Sequence, residues 1–146
     1  MDSGYKIGDI MTREVHTTFQ GEIISLCARK MRDEMVGSLV VIEGNKVVGI
    51  LTEQDLARKV VAEAKDAHAT LVKEIMSKKV VYINPDEDIN KAVELMGQNS
   101  IKHLPVISNG KLEGIITFKD IIAIEPALIE ILSFKNNLEY LKNKQD

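Results

Sequence analysis

The sequence contains the same pattern twice. When residues 10–55 are placed beside residues 75–120, a constant offset of 65 positions aligns them without a gap, and 14 of the 46 pairs are identical. A period this long, present in only two copies, is not typical of an open solenoid of short repeats. We expect two similar halves that pack face to face about an approximate two-fold axis and form two equivalent clefts. Residues that recur in both copies are therefore the first candidates for function.

The composition favours a globular protein that does not bind nucleic acid. A chain of 146 residues with 45% hydrophobic and 28% charged residues is long enough to bury a sizeable core. Trp is absent, aromatic residues make up 4%, and the formal net charge is −3. Such a chain offers few platforms for stacking bases and no overall attraction to a polyanion. The composition therefore disfavours DNA and RNA as partners.

The sequence also predicts a cytoplasmic protein without a membrane segment. No apolar run approaches the roughly 20 residues that cross a bilayer, and the first residues do not resemble a signal peptide. The lone cysteine, Cys27, excludes an intramolecular disulfide and fits a reducing compartment. Because Cys27 shares a helical stripe with Ile24 and Met31, we expect a small buried hydrophobic side chain and no catalytic thiol.

Each copy predicts the element order β-α-β-β-α, preceded by a short helical lead-in, which makes the fold class α/β (α+β). Hydrophobic periodicity supports a helix after residue 23 and after residue 88, and two strands follow each helix. Gly44-Asn45 and Asn109-Gly110 suit tight hairpins between those strands. The unbroken apolar stretch Leu39 to Ile42 predicts a strand covered on both faces. The predicted organisation is repeat 1 at residues 7–64, a linker at 65–71, repeat 2 at 72–125 and an amphipathic tail at 126–146.

The most informative local motif is Gly-x-x-Thr-x-x-Asp, which runs from Gly49 to Asp55 and again from Gly114 to Asp120 at predicted strand-to-helix junctions. Thr followed three residues later by an acid is a capping box, so helix capping explains either copy alone. A nucleotide offers a second explanation, because a helix start attracts phosphate and an Asp can accept hydrogen bonds from ribose hydroxyls. The preceding glycine would let a ligand or another backbone come close.

Positive charge near the two motifs is unequal. Lys119 precedes Asp120, and Lys102 and His103 precede the strand that begins near Leu104. The corresponding positions in the first copy, Gly37-Ser38, are small and uncharged. The two predicted clefts should therefore differ in their affinity for an anionic ligand.

These motifs, together with Asp9 to Thr12, Val15 to Thr18 and Ile101 to Ile107, resemble the CBS domain pair, or Bateman module. The resemblance covers residues 7–125 and implies a regulatory module that binds AMP, ADP, ATP or S-adenosylmethionine in clefts between the repeats. Carried over residue by residue, it implies two ligand-binding sites. Site A would contain Thr52, Asp55, Tyr82, Ile83, Lys102, His103 and Leu104. Site B would contain Thr17, Thr18, Ser38, Leu39, Thr117, Lys119 and Asp120.

The sequence leaves one alternative open, a structural or protein-interaction module whose Thr and Asp residues only cap helices. An enzyme is disfavoured, because His16, His68 and His103 lack metal-ligand spacing and no Ser or Cys has an evident base. The resemblance further implies a homodimer that acts on an effector protein of unknown identity.

Overall fold

The structure is a computed structural model, and it describes residues 2–124 and 142–143. The order helix, strand, strand, helix occurs once in each copy, and the mixture of helices and strands confirms the predicted α/β (α+β) fold class. The first copy contributes β1 (Thr17–Thr18), α2 (Ile24–Glu34), β2 (Ser38–Glu43), β3 (Lys46–Thr52) and α3 (Glu53–Asp55). The second contributes α5 (Ile89–Asn99), β4 (His103–Ser108), β5 (Lys111–Thr117) and α6 (Phe118–Ile124). The lead-in helices are α1 (Ile7–Ile10) and α4 (Val72–Ile75).

The first copy forms a three-stranded sheet in the order β1-β2-β3. β1 runs parallel to β2, with Thr18 opposite Val41, and β2 is antiparallel to β3, with Ser38 opposite Thr52. The first four residues of β2 are buried, which confirms that both faces of this strand are covered. Cys27 of α2 is also buried, as its helical stripe predicts.

The second copy forms a two-stranded sheet of β4 and β5. The sequence also predicts a strand at the β-rich stretch Val80 to Ile83, which aligns with Val15 to Thr18, and this prediction is wrong. Only a single parallel bridge joins Ile83 to Val106. In the first copy, Val40 donates its N–H to the carbonyl of His16 at 3.1 Å. The corresponding residue, Pro105, has no N–H, so this hydrogen bond cannot form and the ladder is shortened.

Two-residue turns close both hairpins as predicted. Asn109 and Gly110 have φ angles of 51° and 77°, and Gly44 has a φ of 61°. A left-handed backbone of this kind matches the twist of the flanking strands, which explains Gly44, Asn109 and Gly110 at the turns.

The helices that follow the two Thr residues differ in type. After Thr52 the chain makes only the short α3 before it widens into a π-helix at Leu56–Val61, where the N–H of Ala62 reaches the carbonyl of Ala57 at 2.9 Å. After Thr117, α6 is α-helical throughout its described length. A π-helix is a rare local widening that occurs often at functional sites.

The chain divides into two compact units that do not follow the two sequence copies. The continuous unit contains Glu14–Val80 with Gly110–Leu112, and the composite unit contains the described residues of Met1–Arg13, Val81–Asn109 and Glu113–Asp146. The lead-in helix of each copy therefore packs in the unit built mainly from the other copy.

Core packing supports this exchange of lead-in helices. Ile7 of α1 is fully buried in a cluster with Ile89, Leu104 and other residues of the second copy. Val72 and Ile75 of α4 are buried in a cluster with Ile24, Leu51 and other residues of the first copy. Each hydrophobic core thus depends on two segments that lie far apart in sequence.

The structure describes only part of the chain, which limits what it shows of the predicted tail and of the predicted absence of a membrane segment. The predicted amphipathic tail at 126–146 lies outside the described residues, except for residues 142–143. Within the described part of the chain, no helix is both long enough and apolar enough to span a membrane.

Candidate functional site

The first corner, defined as Thr52 to Asp55, is a closed capping box. Asp55 Oδ2 accepts hydrogen bonds from the backbone N–H of Thr52 at 2.9 Å and from its hydroxyl at 3.2 Å. In return the Thr52 hydroxyl accepts the backbone N–H of Asp55 at 3.3 Å. These reciprocal bonds satisfy donors at the helix start, so the capping function predicted from the sequence is present.

The second corner, defined as Thr117 to Asp120, repeats this geometry. Asp120 Oδ2 accepts the N–H of Thr117 at 2.9 Å and its hydroxyl at 3.1 Å, and the Thr117 hydroxyl accepts the N–H of Asp120 at 3.3 Å. In both corners the Thr hydroxyl gives its single proton to the carboxylate. The hydroxyl of Thr52 or Thr117 therefore has no proton to offer a phosphate in this arrangement.

Most amide donors at the two corners are already bonded within the protein. Glu53 donates its N–H to the carbonyl of Gly37 at 3.0 Å, and Phe118 donates its N–H to the carbonyl of Lys102 at 2.9 Å. With the Thr and Asp amides used in the capping box, three of the four backbone N–H groups in each corner have a protein partner. The helix start is therefore a poorer phosphate site than the sequence suggests.

The glycine that begins each motif makes room for another part of the chain. A Cβ on Gly49 would lie 2.7 Å from Met76 Sδ and 3.0 Å from the carbonyl oxygen of Ser77. On Gly114 it would lie 2.8 Å from Met11 Sδ and 2.8 Å from the carbonyl oxygen of Thr12. Of the two explanations for the glycine, the close approach of another backbone is the one that the contacts show.

The second oxygen of each carboxylate, Oδ1, lies outside the capping box and is called the outer oxygen. It has different partners in the two corners. Asp55 Oδ1 lies 3.0 Å from the ammonium of Lys59, which also donates to the carbonyl of Ile75 at 3.0 Å. Asp120 Oδ1 accepts a hydrogen bond from the hydroxyl of Thr12 at 3.4 Å. The position equivalent to Lys59 in the second copy is Ile124, which cannot form an ion pair.

Each outer oxygen keeps capacity for a ligand. An ionised carboxylate has about four lone-pair sites, two on each oxygen. The two donors from Thr52 fill Oδ2 of Asp55, while Oδ1 is paired with one donor, the Lys59 ammonium. One more donor, such as a ribose hydroxyl, can be accepted at that oxygen without breaking the capping box. Asp120 has the same remaining capacity beside Thr12.

Four residues of predicted site B lie in the continuous unit. Ser38 and Leu39 are buried at the start of β2, where Ser38 pairs with Thr52 of the first corner. Thr17 and Thr18 line a cavity of about 360 Å³ together with residues of α2 and of the hairpin between β2 and β3. Burial raises the pKa of the Cys27 thiol in the wall of this cavity, which makes that thiol a weak nucleophile.

Five residues of predicted site A lie in the composite unit. Ile83 and Leu104 are buried, Tyr82 and Lys102 are exposed, and His103 begins β4 in a half-buried position. The bond from Phe118 to the carbonyl of Lys102 holds this strand start beside the second corner. Lys119 is exposed at that corner. Within each unit the structure thus gathers part of each predicted site, and the assignment of residues across the two copies stays a prediction.

Three contacts were not predicted from the sequence, those of Lys59 and Thr12 with the corner carboxylates and that of Met76 with Gly49. Lys59 follows Asp55 by four residues, a spacing that brings opposite charges together on a helix and could have been noticed. Thr12 and Met76 are distant from their partners in sequence, so no local pattern would have found them. No group of three or more His, Cys, Asp and Glu side chains suited to a metal ion occurs among residues 2–124 and 142–143.

Comparison with known proteins identifies the class of this fold and motif. The sequence matches the CBS domain over residues 7–62 and again over residues 72–126, and the chain belongs to the CBS-domain family. This confirms the predicted tandem CBS pair.

Among curated relatives, uncharacterized protein MK0525 of Methanopyrus kandleri is 38% identical over 125 residues, which cover 84% of this chain and 64% of that protein. CBS domain-containing protein YhcV of Bacillus subtilis is 33% identical over 115 residues, which cover 79% of this chain and 81% of that protein.

Two solved structures of CBS-domain proteins are similar to this fold. The CBS domain pair of MJ0100 in complex with 5′-methylthioadenosine and S-adenosyl-L-methionine has a TM-score of 0.77 and 25% identity, and the match covers 84% of this chain and 97% of that one. A hexameric CBS-CP12 protein from bloom-forming cyanobacteria has a TM-score of 0.76 and 30% identity, with 86% and 73% covered.

Proposed function

We propose that this CBS pair is a regulatory module that binds an adenosine-containing ligand, from the set AMP, ADP, ATP and S-adenosylmethionine, and is not an enzyme. The observation that carries the proposal is the unfilled lone pair on the outer oxygen of Asp55 and of Asp120, beside a capping box that is already closed. A ribose hydroxyl is a donor of the required kind. The MJ0100 pair, which holds two adenosine derivatives, supports this ligand class.

The proposal keeps the two predicted sites and the predicted repeat boundaries. Asp55 with Thr52 would hold the ribose at site A, and Asp120 with Thr117 would hold it at site B. Exposed Tyr82 and the cavity beside Thr17 and Thr18 offer surfaces for a base. A homodimer in the cytoplasm that signals to an effector protein completes the proposal, and the hexameric CBS-CP12 protein supports self-association in general.

Thermal unfolding with added ligand tests the proposal. A ligand that binds only the folded protein stabilises it by about 2.7 kcal/mol at a hundredfold excess over its Kd, which corresponds to an upward shift in Tm of roughly 5–10 °C for a chain of this size. We expect such a shift with at least one of AMP, ADP, ATP and S-adenosylmethionine at millimolar concentration, and none with the guanine nucleotide GMP. An unchanged Tm with all four adenosine ligands would contradict the proposal.

The structure also favours a second candidate, a structural or protein-interaction module. All three bonds of the capping box are present in each corner, so helix capping accounts for the Thr and Asp residues without any ligand. This candidate predicts that purified protein carries no bound nucleotide by mass spectrometry. It also predicts that replacing either Asp changes only stability.

A further inference from the structure

The residue two positions after each lead-in helix is bonded to the strand that leads into a corner. Thr12, after α1, and Ile115 of β5 exchange two backbone hydrogen bonds, both at 2.9 Å. Ser77, which aligns with Thr12 at the offset of 65, exchanges two such bonds with Ile50 of β3, at 2.9 and 3.1 Å. The end of each lead-in helix therefore lies beside the strand that carries one corner.

A second connection joins the end of α1 to the outer oxygen of the second corner. The hydroxyl of Thr12 donates to Asp120 Oδ1 at 3.4 Å, so one residue contacts both the strand and the carboxylate. Ser77 does not repeat this contact, since its hydroxyl donates to the carbonyl of Lys79 at 3.4 Å. In the continuous unit, a different residue makes the connection.

Lys59 is that residue. Its ammonium lies 3.0 Å from Asp55 Oδ1 and donates to the carbonyl oxygen of Ile75, the last residue of α4, at 3.0 Å. The last carbonyl groups of a helix lack a partner within the helix, and a Lys side chain can supply the missing donor. Lys59 therefore joins the end of α4 to the outer oxygen of the first corner.

The two copies thus reach the same connection by different chemistry, and it has a consequence for a ligand. A ribose hydroxyl accepted at the outer oxygen would hold the carboxylate in place, and the donor already bonded there, Thr12 or Lys59, would lose freedom with it. A helix end that contacts an ordered donor opens less often, because less conformational entropy is lost when it closes again.

We propose that Thr12 and Lys59 are positioning residues through which a ligand at each outer oxygen orders the lead-in helix of the same unit. The inference rests on the proposed function and adds the output of the two sites. Helix α1 responds to the second corner, and α4 responds to the first. The lead-in helices are then the elements through which ligand occupancy reaches the effector protein.

Hydrogen–deuterium exchange with mass spectrometry tests the inference. AMP, ADP, ATP and S-adenosylmethionine are added in turn, and each one that raises the Tm of the parent protein serves as a probe at saturating concentration. Titration of Asp55→Asn and Asp120→Asn shows which corner a probe fills. We expect the lead-in helix of that unit, followed in peptides that cover residues 7–12 or 72–77, to exchange about fivefold more slowly, the lower end of ordinary coupling between sites.

Crossed variants separate this coupling from overall stabilisation, which would protect both helices in every variant. Lys59→Met removes the ammonium and should abolish the response of α4 without changing that of α1. Thr12→Val removes the hydroxyl at similar volume and should abolish the response of α1 without changing that of α4. Thr12→Ser keeps a hydroxyl and should retain both responses.

Arg58→Met is the matched control for Lys59→Met. Arg58 is exposed in the same π-helix and takes no part in the ion pairs among the described residues, so its loss should leave both responses unchanged. Circular dichroism verifies that each variant is folded, and titration verifies that the probe is bound. If Lys59→Met does not fold, the comparison of Thr12→Val with Thr12→Ser still decides the question.

Four results would overturn the inference. They are an α4 response that persists in Lys59→Met with probe bound, an α1 response that persists in Thr12→Val with probe bound, loss of the α4 response in Arg58→Met, and equal exchange of the lead-in helix with and without bound probe in the parent protein. Failure of the proposed function is distinct, because then none of the four ligands raises the Tm of the parent protein.

Discussion

The two corners share an inner geometry and differ in their outer partners. On the inner side, Oδ2 of Asp55 and of Asp120 each accept one backbone N–H at 2.9 Å and one Thr hydroxyl. On the outer side, Oδ1 contacts the Lys59 ammonium in one corner and the Thr12 hydroxyl in the other. The contrast indicates that helix capping constrains the inner oxygen, while the outer oxygen is where the two copies have diverged.

The helices that precede the hairpins differ in a similar way. Asp88 caps α5, since Oδ2 accepts the N–H of Asn90 at 2.8 Å. The equivalent position before α2 is Ile23, which has no capping side chain. There the carbonyl groups of Ala67 and Thr70 accept the first N–H groups of the helix at 3.0 Å. The first N–H groups of the helix therefore find acceptors in both copies, from a side chain in the second copy and from the linker backbone in the first.

Glycine replacement should produce the largest loss of stability. We expect Gly49→Ala and Gly114→Ala to lower the free energy of unfolding by about 1–3 kcal/mol each, because the added Cβ overlaps a Met sulfur and a backbone carbonyl. Gly114→Ala should cost more, since its carbonyl contact is 2.8 Å against 3.0 Å at Gly49. Urea denaturation measures both.

Gly21→Ala is the matched control for these variants. A Cβ there would meet only Phe19, at 3.6 Å, which is ordinary van der Waals contact. If the three variants unfold at the same urea concentration, then close approach of the chain does not explain the motif glycines.

Replacement of the corner carboxylates separates capping from ligand binding. Asp55→Asn and Asp120→Asn retain an oxygen that can accept the Thr N–H, but they lose the charge and the outer acceptor. We expect each Asn variant to remove one adenosine-binding event. Each should also lose less stability than the corresponding Ala variant, for which we expect a loss of about 1 kcal/mol. Titration calorimetry and urea denaturation give the two quantities.

Glu74→Ala serves as the control for loss of a capping bond alone. Glu74 accepts the N–H of Leu71 at 2.7 Å at the start of α4 and belongs to neither predicted site. It should cost about as much stability as Asp55→Ala and leave binding intact. Reduced binding in Glu74→Ala would mean that general loosening of the continuous unit, and not the outer oxygen, explains the effect at Asp55.

The smallest expected effect is a pH dependence of the cap at Asp88. Burial by itself would raise the pKa of Asp88, but hydrogen bonds from the Asn90 amide and from the hydroxyl and amide of Ser3 outweigh it, and the pKa lies below its usual value of 3.8. A lowered folded-state pKa means that the carboxylate stabilises the fold above pH 3.8 and that this contribution is lost as the pH falls through the folded-state value.

Asp88→Ala should therefore cost about 1 kcal/mol at pH 7 and less at pH 3, as measured by urea denaturation at both values. Ile23, at the equivalent position before α2, has a side chain that does not ionise, so Ile23→Ala should show no change in its cost between the two pH values. If Asp88→Ala lowers the free energy of unfolding equally at both pH values, then packing, and not the carboxylate charge, explains the loss.

Local patterns predicted most of the fold and the inner part of each corner. Hydrophobic periodicity placed the long helices and the hairpins, and the Thr-x-x-Asp spacing predicted the capping boxes, because both depend on residues close in sequence. Pro105 was visible in the sequence, yet its effect on the missing strand required knowing which N–H the ladder used. The π-helix at Leu56–Val61 has no recognised sequence signal.

The outer contacts could not be predicted because they are set by tertiary packing. Thr12 reaches Asp120 across 108 positions of sequence. The exchange of lead-in helices, which brings Met76 against Gly49 and Met11 against Gly114, is equally nonlocal. The proposed pairing of residues from the two copies in sites A and B has the same nonlocal character and therefore needs the ligand experiments.

The exchange of lead-in helices has a consequence for synthesis on the ribosome. Nearly all of the continuous unit, Glu14–Val80, has been made by the time residue 80 leaves the exit tunnel, and it can begin to fold as the chain grows. Helix α1 is translated before the continuous unit but must wait, with Ile7 uncovered, until strands β4 and β5 have been translated. Although it is translated before the continuous unit, α1 is thus among the last of these elements to reach its native position, and any change that delays its docking should slow maturation of the composite unit in particular.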